Sequence, residues 1–440
     1  MDLDAAGDPH IASKQYRYPL SSPLRMAVRQ DGSWIVQTIY DSGTPAIALT
    51  GLAMILDAQG HSYVVLDEDD VSDPYGVGVD VLSLLTDAGG SWVRRVLTET
   101  AYGFFDGVSV ARDSLGGLGI CYGWRPAAPN RTNYAHTEVL PSGGWAFETI
   151  DPEGASLTNS IAFDKSANPH LLYVIGFGSP TKLKYAVKTG GIWTREIVAS
   201  LARFYSCSMV LDQANRPHIA YRQELLVPAP SYSLKYGKRT NGVWTLETVD
   251  AGGSSFGAYA SLAIDPDGNP HISYLDRDRG DLKYAWKAGG AWYITLVDSA
   301  GTSGYFTRLK LDQAGMPRIA YYSNATLKYS TAKAIAIREE AAFANAAAPP
   351  TAMSAFPNPC GDELAQIRFS APAGACVRID VFDVSGRMVR SLVTSAASPV
   401  GSLVTWDSRD ARGERVAPGV YFLRLESGSD RETHRLVLLK

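Results

Sequence analysis

Apolar and polar residues alternate in short runs along most of the chain, a pattern that predicts β-strands. In LKYAWK at 282–287, the apolar face is Leu282, Tyr284 and Trp286, and the other face is Lys283, Ala285 and Lys287. Segments such as DPDGN at 265–269 separate the runs, and they are turn sequences because Gly accepts a positive φ and Asp or Asn caps a turn. No repeat contains helical periodicity of useful length, so we expect an all-β protein.

The runs belong to a unit that recurs about seven times. Its clearest copy holds SLAID at 261–265, HISY at 271–274, LKYAWK at 282–287 and GGAWYITLVD at 289–298. An aspartate marks each copy, at spacings of 47 to 56 residues: Asp4, Asp57, Asp113, Asp164, Asp212, Asp265 and Asp312. A tryptophan keeps the same phase: Trp34, Trp92, Trp145, Trp193, Trp244 and Trp292. Two independent markers in one phase indicate a true structural repeat.

Four short strands per unit and about seven units predict a β-propeller over residues 1–337. A β-helix needs shorter coils, and an array of sandwiches needs roughly 100 residues per domain. Only three residues precede Asp4, so the first strand of the first blade is nearly missing. Either AIAIREE at 334–340 closes the ring in its place or the sequence lacks its N-terminal part, and we favour the second explanation.

A change in composition separates the repeats from the end of the chain. Residues 338–355 are rich in Ala and contain a Pro pair, which predicts a linker. Residues 356–440 contain one lysine, Lys440, and several strand-like runs such as VRIDVFDVSGRMVRSL at 377–392. This length and pattern predict a small Ig-like β-sandwich.

The tail also contains spaced motif residues, which are Pro357, Asn358, Pro359, Gly386, Arg387, Trp406, Asp407, Gly413, Gly419 and Tyr421. In this order they closely resemble the C-terminal sorting domain of type IX secretion, and they are similar to the Ig-like domain of flagellar hook-capping proteins. Ser408 stands where the sorting family more usually has Gly. The resemblance implies that outer-membrane export machinery recognises the tail, and therefore an extracellular or outer-surface location. It does not identify the function of the exported part.

The repeats themselves carry LKYA and GxW elements. They resemble a diffuse group of bacterial extracellular propellers and are distantly similar to the Asp-box repeats of sialidases. Only Thr86–Trp92 comes near the Asp-box motif, and its spacing is off by one residue.

Composition narrows the function classes. The formal net charge of −4 argues against nucleic-acid binding, which normally needs a basic surface, and 45% hydrophobic residues allow a large core. No apolar run approaches the 18 residues or more of a membrane helix. The chain starts without a signal peptide, which agrees with our expectation that the N-terminal part is missing. We expect no cofactor.

The four cysteines include no CxxC pair, so a zinc site of the usual spacing is not indicated. Cys121 and Cys207 lie in different repeats, and we expect them to be buried thiols. Cys360 and Cys376 lie within the tail and are a candidate disulfide pair.

Five histidines occupy nearly the same position in their repeats: His10, His61, His170, His218 and His271. One per blade places them too far apart to share a metal ion, so we interpret them as hydrogen-bond partners of a local Asp or backbone group. The DxDxN pattern at 265–269 superficially resembles a calcium loop, but Pro270 replaces the expected Gly and no Glu follows at the twelfth position. We interpret it as a turn.

Three insertions are the most irregular parts of the repeats: 67–78, 123–133 and 223–231. All follow the HISY-type strand, so we expect them at one end of the disc. The candidate ligand-binding residues there are Tyr75, Trp124, Arg125 and Asn130. Aromatic rings with polar neighbours suit a glycan, and long loops on a repeat scaffold are a common place for binding, although neutral loop drift is the alternative.

Sialidase-like chemistry would need an arginine cluster, a Tyr–Glu pair and an acid. Arg222, Arg277 and Arg279 follow strands but form no recognisable set, so we expect them on the solvated surface. The tyrosines of the second strand are expected in the core: Tyr173, Tyr221, Tyr274 and Tyr321.

The function indicated by the sequence is that of an exported propeller that binds a glycan or a protein partner without catalysis. A polysaccharide hydrolase or lyase with its site at the channel is one alternative, and a structural surface protein is another. No catalytic residue is assigned.

Overall fold

The structure is a computed structural model that describes residues 1–14, 23–41, 47–70, 79–101, 103–126, 130–137, 144–176, 180–225, 231–251, 257–299, 301–331, 352–356, 365–370, 376–395, 402–427 and 430–438. The chain divides into two compact units. The first contains Met1–Tyr284 and Leu296–Thr331, and the second contains Ala285–Thr295 and Ala332–Lys440. The described residues contain strands and turns and no helix. The all-β prediction is confirmed.

The repeats form antiparallel sheets in which successive strands pair in chain order. The first three sheets are built from β1 (Asp2–Leu3), β2 (Pro9–Lys14), β3 (Leu24–Gln30), β4 (Ser33–Tyr40), β5 (Ile47–Leu56), β6 (Ser62–Asp70), β7 (Val79–Thr86), β8 (Val93–Ala101), β9 (Gly103–Arg112), β10 (Leu118–Pro126), β11 (Arg131–Thr137) and β12 (Ala146–Asp151). Each of these sheets is one blade of four strands.

The fourth and fifth blades are joined into one seven-stranded sheet. Its strands are β13 (Ser156–Phe163), β14 (Pro169–Ile175), β15 (Thr181–Thr189), β16 (Ile192–Leu211), β17 (Pro217–Leu225), β18 (Ser231–Thr240) and β19 (Val243–Ala251). The 20-residue β16 is the outer strand of the fourth blade and continues as the inner strand of the fifth. It changes direction near Leu201, which has a φ of 64° and is 82% exposed.

The sixth sheet has four strands and the seventh has three described strands. They are β20 (Ala258–Ile264), β21 (Pro270–Asp276), β22 (Asp281–Ala288), β23 (Ala291–Asp298), β24 (Ser303–Leu311), β25 (Pro317–Ser323) and β26 (Thr326–Thr331). The segment 334–340, considered above for ring closure, lies outside the described residues. The described strands therefore form seven blades, as the repeat predicts.

The core lies between neighbouring blades, because each sheet covers the next. One cluster, for example, joins Leu172 and Tyr185 of the fourth blade to Met209, Ile219 and Tyr221 of the fifth. The first strands of successive blades contact one another, so they form the inner wall of the ring.

The seventh blade packs on the first. The Tyr322 hydroxyl donates to the carbonyl of Lys14 at 3.0 Å, and Lys310 pairs with Asp2 at 2.9 Å. Ala320 shares an apolar cluster with Ile11. These contacts close the ring.

The second unit contains a β-sandwich of two antiparallel sheets, in the strand orders β27-β28-β31 and β30-β29-β32-β33. Its strands are β27 (Ala352–Phe356), β28 (Ala365–Ser370), β29 (Cys376–Asp383), β30 (Met388–Ser395), β31 (Ser402–Trp406), β32 (Gly419–Ser427) and β33 (Asp430–Leu438). Its first strand begins inside the segment that the sequence predicts as a linker. The boundaries 337/338 and 355/356 remain predictions.

Candidate functional site

Each blade has two different ends, because its strands run up and down. The turns from first to second and from third to fourth strand lie at one end, which we call the turn end. The connections from second to third strand and from one blade to the next lie at the other, the loop end. All three insertions connect a second strand to a third strand in the chain, and their described residues lie at the loop end, as expected.

At the turn end, the marker aspartates close the first turn of every blade. In all seven, Oδ1 accepts a hydrogen bond from the backbone N–H four residues later, at 2.7 to 2.9 Å. This is a side-chain-closed turn that fixes the link between inner and second strand. In the copy at 265–269, Asn269 also donates its side-chain amide to Asp265. The turn interpretation of DxDxN is confirmed.

The repeated histidines extend these turns into the blade. His218 is fully buried, its Nε2 lies 3.2 Å from Asp212 Oδ2, and its Nδ1 lies 2.5 Å from the Tyr236 hydroxyl. Burial lowers the pKa of His218 to about 4, so the ring is neutral at pH 7. The sixth blade repeats this Asp–His–Tyr chain with His271. In the fourth blade, His170 contacts the Tyr185 hydroxyl at 2.6 Å, and its Nε2 lies 3.6 Å from Asp164. His61, His218 and His271 therefore hydrogen-bond their own turn aspartate, as interpreted from the sequence.

A second repeated contact joins neighbouring blades. The Asp151 carboxylate, at the end of the third blade, accepts hydrogen bonds from Tyr173 at 3.0 Å and Lys184 at 2.8 Å of the fourth blade. The fifth-to-sixth and sixth-to-seventh interfaces use the same residue types: Asp250 with Tyr274 and Lys283, and Asp298 with Tyr321 and Lys328. We call each group an inter-blade lock. The expected core position of these tyrosines is confirmed.

At the loop end the inner strands are irregular. The pairing of inner and second strand shifts register near the start of the inner strand in every blade from the second to the seventh. Such bulges turn side chains out of the regular alternation and are common beside binding sites. They lie where the inner wall meets the loop end.

Two of these bulges hold aromatic residues in the left-handed backbone region. Tyr259 has a φ of 55° and Phe306 a φ of 53°, and each lies six residues before its blade's marker aspartate. Gly107 occupies the same position in the third blade, with a φ of 53°. A non-glycine residue in this region costs roughly 1–2 kcal/mol. Phe306 is also 54% exposed, so its ring does not recover this cost by burial.

The rings form a continuous group across blades six and seven. The Tyr259 ring centroid lies 4.6 Å from that of Phe306 and 5.6 Å from that of Tyr305. Tyr322 makes an edge contact with Phe306 at 6.4 Å. An aromatic surface of two to three rings is therefore present at the loop end.

The fifth blade adds a charged part to this surface. The Arg222 guanidinium lies between two rings, 4.7 Å from the Tyr205 centroid and 4.9 Å from the Tyr232 centroid. Glu224 accepts hydrogen bonds from both hydroxyls, at 2.7 Å from Tyr205 and 3.0 Å from Tyr232. Arg222 is only 8% exposed, so the expectation that it is a solvated surface residue is wrong, because the two rings cover it. Arg277 and Arg279 are exposed, as expected.

The pKa shifts show that the two groups are electrostatically connected. Burial raises the pKa of Tyr259, while Arg277 and Arg222 oppose that rise. Burial also raises the pKa of Tyr205, and the hydrogen bond to Glu224 raises it further, since a phenol that donates to a carboxylate resists losing its proton. We name the residues of this surface the loop-end cluster: Tyr205, Arg222, Glu224, Tyr232, Tyr259, Tyr305 and Phe306.

The candidate residues named from the sequence belong to other blades. Trp124 lies near the end of β10 in the third blade, where its ring is partly buried and the Arg131 guanidinium lies 5.5 Å from its centroid. Arg125 and Asn130 are half-buried. Tyr75 lies outside the described residues. Their role in ligand binding remains a prediction.

The loop-end cluster was not predicted from the sequence. Its signal was present in the alignment of the repeats, where Tyr259 and Phe306 stand six residues before the marker aspartate and Gly107 has the same position. An aromatic residue at a glycine-tolerant position in a repeat is the kind of irregularity that marks a site. The Tyr205–Arg222–Tyr232 stack joins three different strands, and only the fold reveals it.

No group of three or more His, Cys, Asp or Glu side chains is arranged to hold a metal ion within the described part of the chain. The described part also has no helix with the length and hydropathy needed to cross a membrane. Cys121 and Cys207 are buried free thiols, which confirms that expectation. Cys360 lies outside the described residues.

In the sandwich, the motif residues form a compact frame. Trp406 is fully buried, its indole N–H donates to the carbonyl of Arg409 at 2.8 Å, and its ring meets that of Tyr421 at 5.4 Å. The Tyr421 hydroxyl donates to the carbonyl of Ala417 at 2.6 Å, which pins the start of β32. Trp406 and Tyr421 therefore position the strands of the tail.

The remaining motif residues lie in turns or outside the described residues. Gly386 and Gly413 take φ values of 81° and 82° in turns closed by an aspartate, as in the blades. Arg387 pairs with Asp383 at 3.0 Å. Asp407 accepts a hydrogen bond from the backbone N–H of Arg409, and Gly419 begins β32. Pro357, Asn358 and Pro359 lie outside the described residues.

Comparison with known proteins agrees with both parts of this architecture. Residues 354–439 match the family described as the secretion system C-terminal sorting domain. Among curated proteins, no sequence matches the chain significantly.

Solved structures resemble the chain only in fold. An ulvan lyase of a polysaccharide lyase family matches with a TM-score of 0.50 at 10% identity, covering 76% of this chain and 96% of that chain. A Hadza microbial sialidase matches at 0.47 and 13% identity, covering 72% and 74%. PorZ of Porphyromonas gingivalis, a surface component of the type IX secretion system, matches at 0.45 and 13% identity, covering all of this chain and 59% of PorZ.

The fold thus defines a seven-bladed β-propeller followed by a small β-sandwich. The tail is a type IX secretion C-terminal sorting domain, so the protein is a secreted or cell-surface propeller sorted by that system.

Proposed function

We propose that the exported propeller is a non-enzymatic binding module for a glycan, and that the loop-end cluster holds it. The observation that carries the proposal is the pair of aromatic residues, Tyr259 and Phe306, kept in a strained backbone conformation with Phe306 largely exposed. Strain at an exposed ring does not serve stability, and such strain is concentrated at functional sites. Flat apolar rings beside tyrosine hydroxyls and charged groups suit the alternating apolar faces and hydroxyls of a sugar.

A second candidate function is cleavage of a polysaccharide. It is favoured by the hydrogen bond between Tyr205 and Glu224 beside Arg222, since a carboxylate that takes the proton of a tyrosine creates a nucleophile or a base. The raised pKa of Tyr205 opposes this role, because the phenol keeps its proton near neutral pH. Glu224 is also shared with Tyr232, an arrangement that orients both rings. These features support binding over catalysis.

The test is a glycan array on the full chain, with a parallel assay for released product on the same polysaccharides. We expect saturable binding without product. Phe306→Ala should reduce affinity about tenfold, a loss of about 1.4 kcal/mol. The matched control is Leu115→Ala, since Leu115 is 82% exposed at the turn end of the third blade.

The other outcomes separate the alternatives. Product release would replace the binding module by an enzyme and direct attention to Tyr205 and Glu224. Loss of binding in Trp124→Ala but not in Phe306→Ala would move the site to the third blade. Absence of binding to every glycan on the array would contradict the glycan proposal and favour a protein partner or a structural role.

A further inference from the structure

We infer that the ligand of the loop-end cluster is an anionic glycan, whose sugars carry carboxylate or sulfate groups. This inference rests on the proposed function and adds the chemical class of the ligand. It comes from the charges around the cluster rather than from its rings.

Arginines outnumber acids at this surface. Arg222 belongs to the loop-end cluster and Arg203 and Arg277 lie beside it, whereas the cluster itself contains one carboxylate, Glu224, in a chain whose formal net charge is −4. Arg203 lies 3.9 Å from Glu224 and keeps 38% of its side chain exposed. Glu224 therefore contacts the Arg203 guanidinium while it also accepts two phenol hydroxyls.

Arg277 is the guanidinium most open to a ligand. It follows the end of β21 and is exposed, whereas Arg222 is covered by the two tyrosine rings. The sixth blade packs on the fifth, so Arg277 lies on the blade beside that of Arg222. Burial lowers the pKa of Arg222, the two tyrosines and Glu224 oppose that shift, and the charge of Arg277 lowers the pKa further. Two nearby cations repel in the free protein, and an anion between them relieves that repulsion.

Two nearby acids are paired with a lysine. Asp276 of the sixth blade and Asp250 of the fifth lie 2.9 and 3.4 Å from the ammonium of Lys283. Asp278 and Arg279 are exposed neighbours of opposite charge, so together they add no net charge. In the sequence, 226–230 and 252–256 contain no charged residue.

The arrangement assigns separate tasks to the residues. Arg222 is a positioning residue, because it holds the faces of Tyr205 and Tyr232 apart at a fixed spacing. Arg277 is the group that contacts the anion. Guanidinium binds carboxylate and sulfate with paired N–H donors, which gives geometry as well as charge. The rings of Tyr259 and Phe306 then take the apolar face of the same or the next sugar.

The experiment is calorimetric titration of the full chain with matched pairs of probes. One arm compares oligogalacturonate with its methyl ester, and the other compares a sulfated galactan with the same galactan after desulfation. We expect the anionic member of one pair to bind at least tenfold more tightly than its neutral partner. That preference should shrink at 1 M salt, because salt screens exposed charges. The pair that shows the preference identifies the anion.

Substitution separates local recognition from general attraction. Arg277→Gln should reduce binding of the anionic probe about tenfold. The control is Lys165→Gln, which removes one exposed positive charge at the turn end and should change affinity less than twofold. An equal loss in both variants would overturn the inference, since it would indicate attraction by overall charge.

Equal binding of neutral and anionic probes would overturn the inference and leave the proposed function standing. If neither these probes nor the neutral glycans on the array bind, the proposed function itself is contradicted. A preference that survives in Arg277→Gln would also overturn the role of Arg277.

Discussion

The two ends of the blades differ in how closely their side-chain contacts repeat from blade to blade. At the turn end, seven aspartates make the same hydrogen bond, and three of the histidines contact a tyrosine hydroxyl of their own blade. At the loop end, the bulges of the fifth, sixth and seventh blades carry different side chains, and Tyr259 and the exposed Phe306 are held in a strained backbone. Repetition marks the end that stabilises the scaffold, whereas departure from the repeat marks the end available for binding.

This contrast also supports the interpretation of the histidines as part of the scaffold. Each lies 2.9 to 3.6 Å from its own turn aspartate. The loop-end cluster occurs in only three blades, and its parts differ from blade to blade. A feature that a repeat scaffold does not need for its own stability is the better candidate for function.

The largest expected effect is at an inter-blade lock. Asp151→Ala removes a fully buried carboxylate that accepts from Tyr173 and Lys184, and it leaves a buried ammonium with only the exposed Glu153 as partner. We expect the free energy of unfolding to fall by about 3 kcal/mol. Chemical denaturation followed by tryptophan fluorescence measures this change.

The control for that prediction is Asp267→Ala, since Asp267 is an exposed turn residue. An equal change in both variants would contradict the assignment of the locks as stabilising contacts between blades.

An intermediate effect is expected from acid at the turn end. The pKa of His218 is lowered to about 4 by burial, below its ordinary value of 6.5, and burial also lowers the pKa of His170 and His271. Between pH 6.5 and 4 the unfolded chain binds protons that the folded chain excludes, so the free energy of unfolding falls as the pH falls. Each such histidine contributes at most about 1.4 kcal/mol per pH unit.

Thermal unfolding at several pH values tests this expectation. His218→Asn should lower stability at pH 7 but flatten the slope between pH 6.5 and 4. A slope identical to that of the unaltered protein would show that His218 does not exclude the proton.

The smallest effect on stability is expected at the loop end. Phe306→Gly removes an exposed ring and releases the left-handed strain, while glycine adds backbone freedom to the unfolded chain. We expect the free energy of unfolding to change by less than about 1 kcal/mol, although glycan affinity is lost. A destabilisation as large as that of Asp151→Ala would show that the ring serves the scaffold and would remove the contrast between the two ends.

Much of the scaffold was predictable from the sequence because it is periodic. The marker aspartates, the alternating runs and the DxxG turns are local signals, and they predicted seven blades of four strands. The motif residues around Trp406 and Tyr421 predicted the sorting tail. The burial of Arg222 was not predictable, because Tyr205, Arg222 and Tyr232 lie on three strands whose relative register only the fold determines.

The fusion of the fourth and fifth blades was also unpredictable. The repeat places a boundary between Trp193 and Asp212, yet β16 runs through it without a loop. The bend at Leu201 is made by one residue with positive φ that is not glycine, so composition gave no sign of it.

The continuous strand has a consequence for how the ring comes apart. Elsewhere, neighbouring blades share side-chain contacts but belong to separate sheets, so one blade has its own ladder of amide hydrogen bonds. Across β16 a single peptide segment belongs to two ladders, and opening either one pulls on the other. Blades four and five therefore behave as one cooperative unit, whose amides exchange with solvent deuterium together.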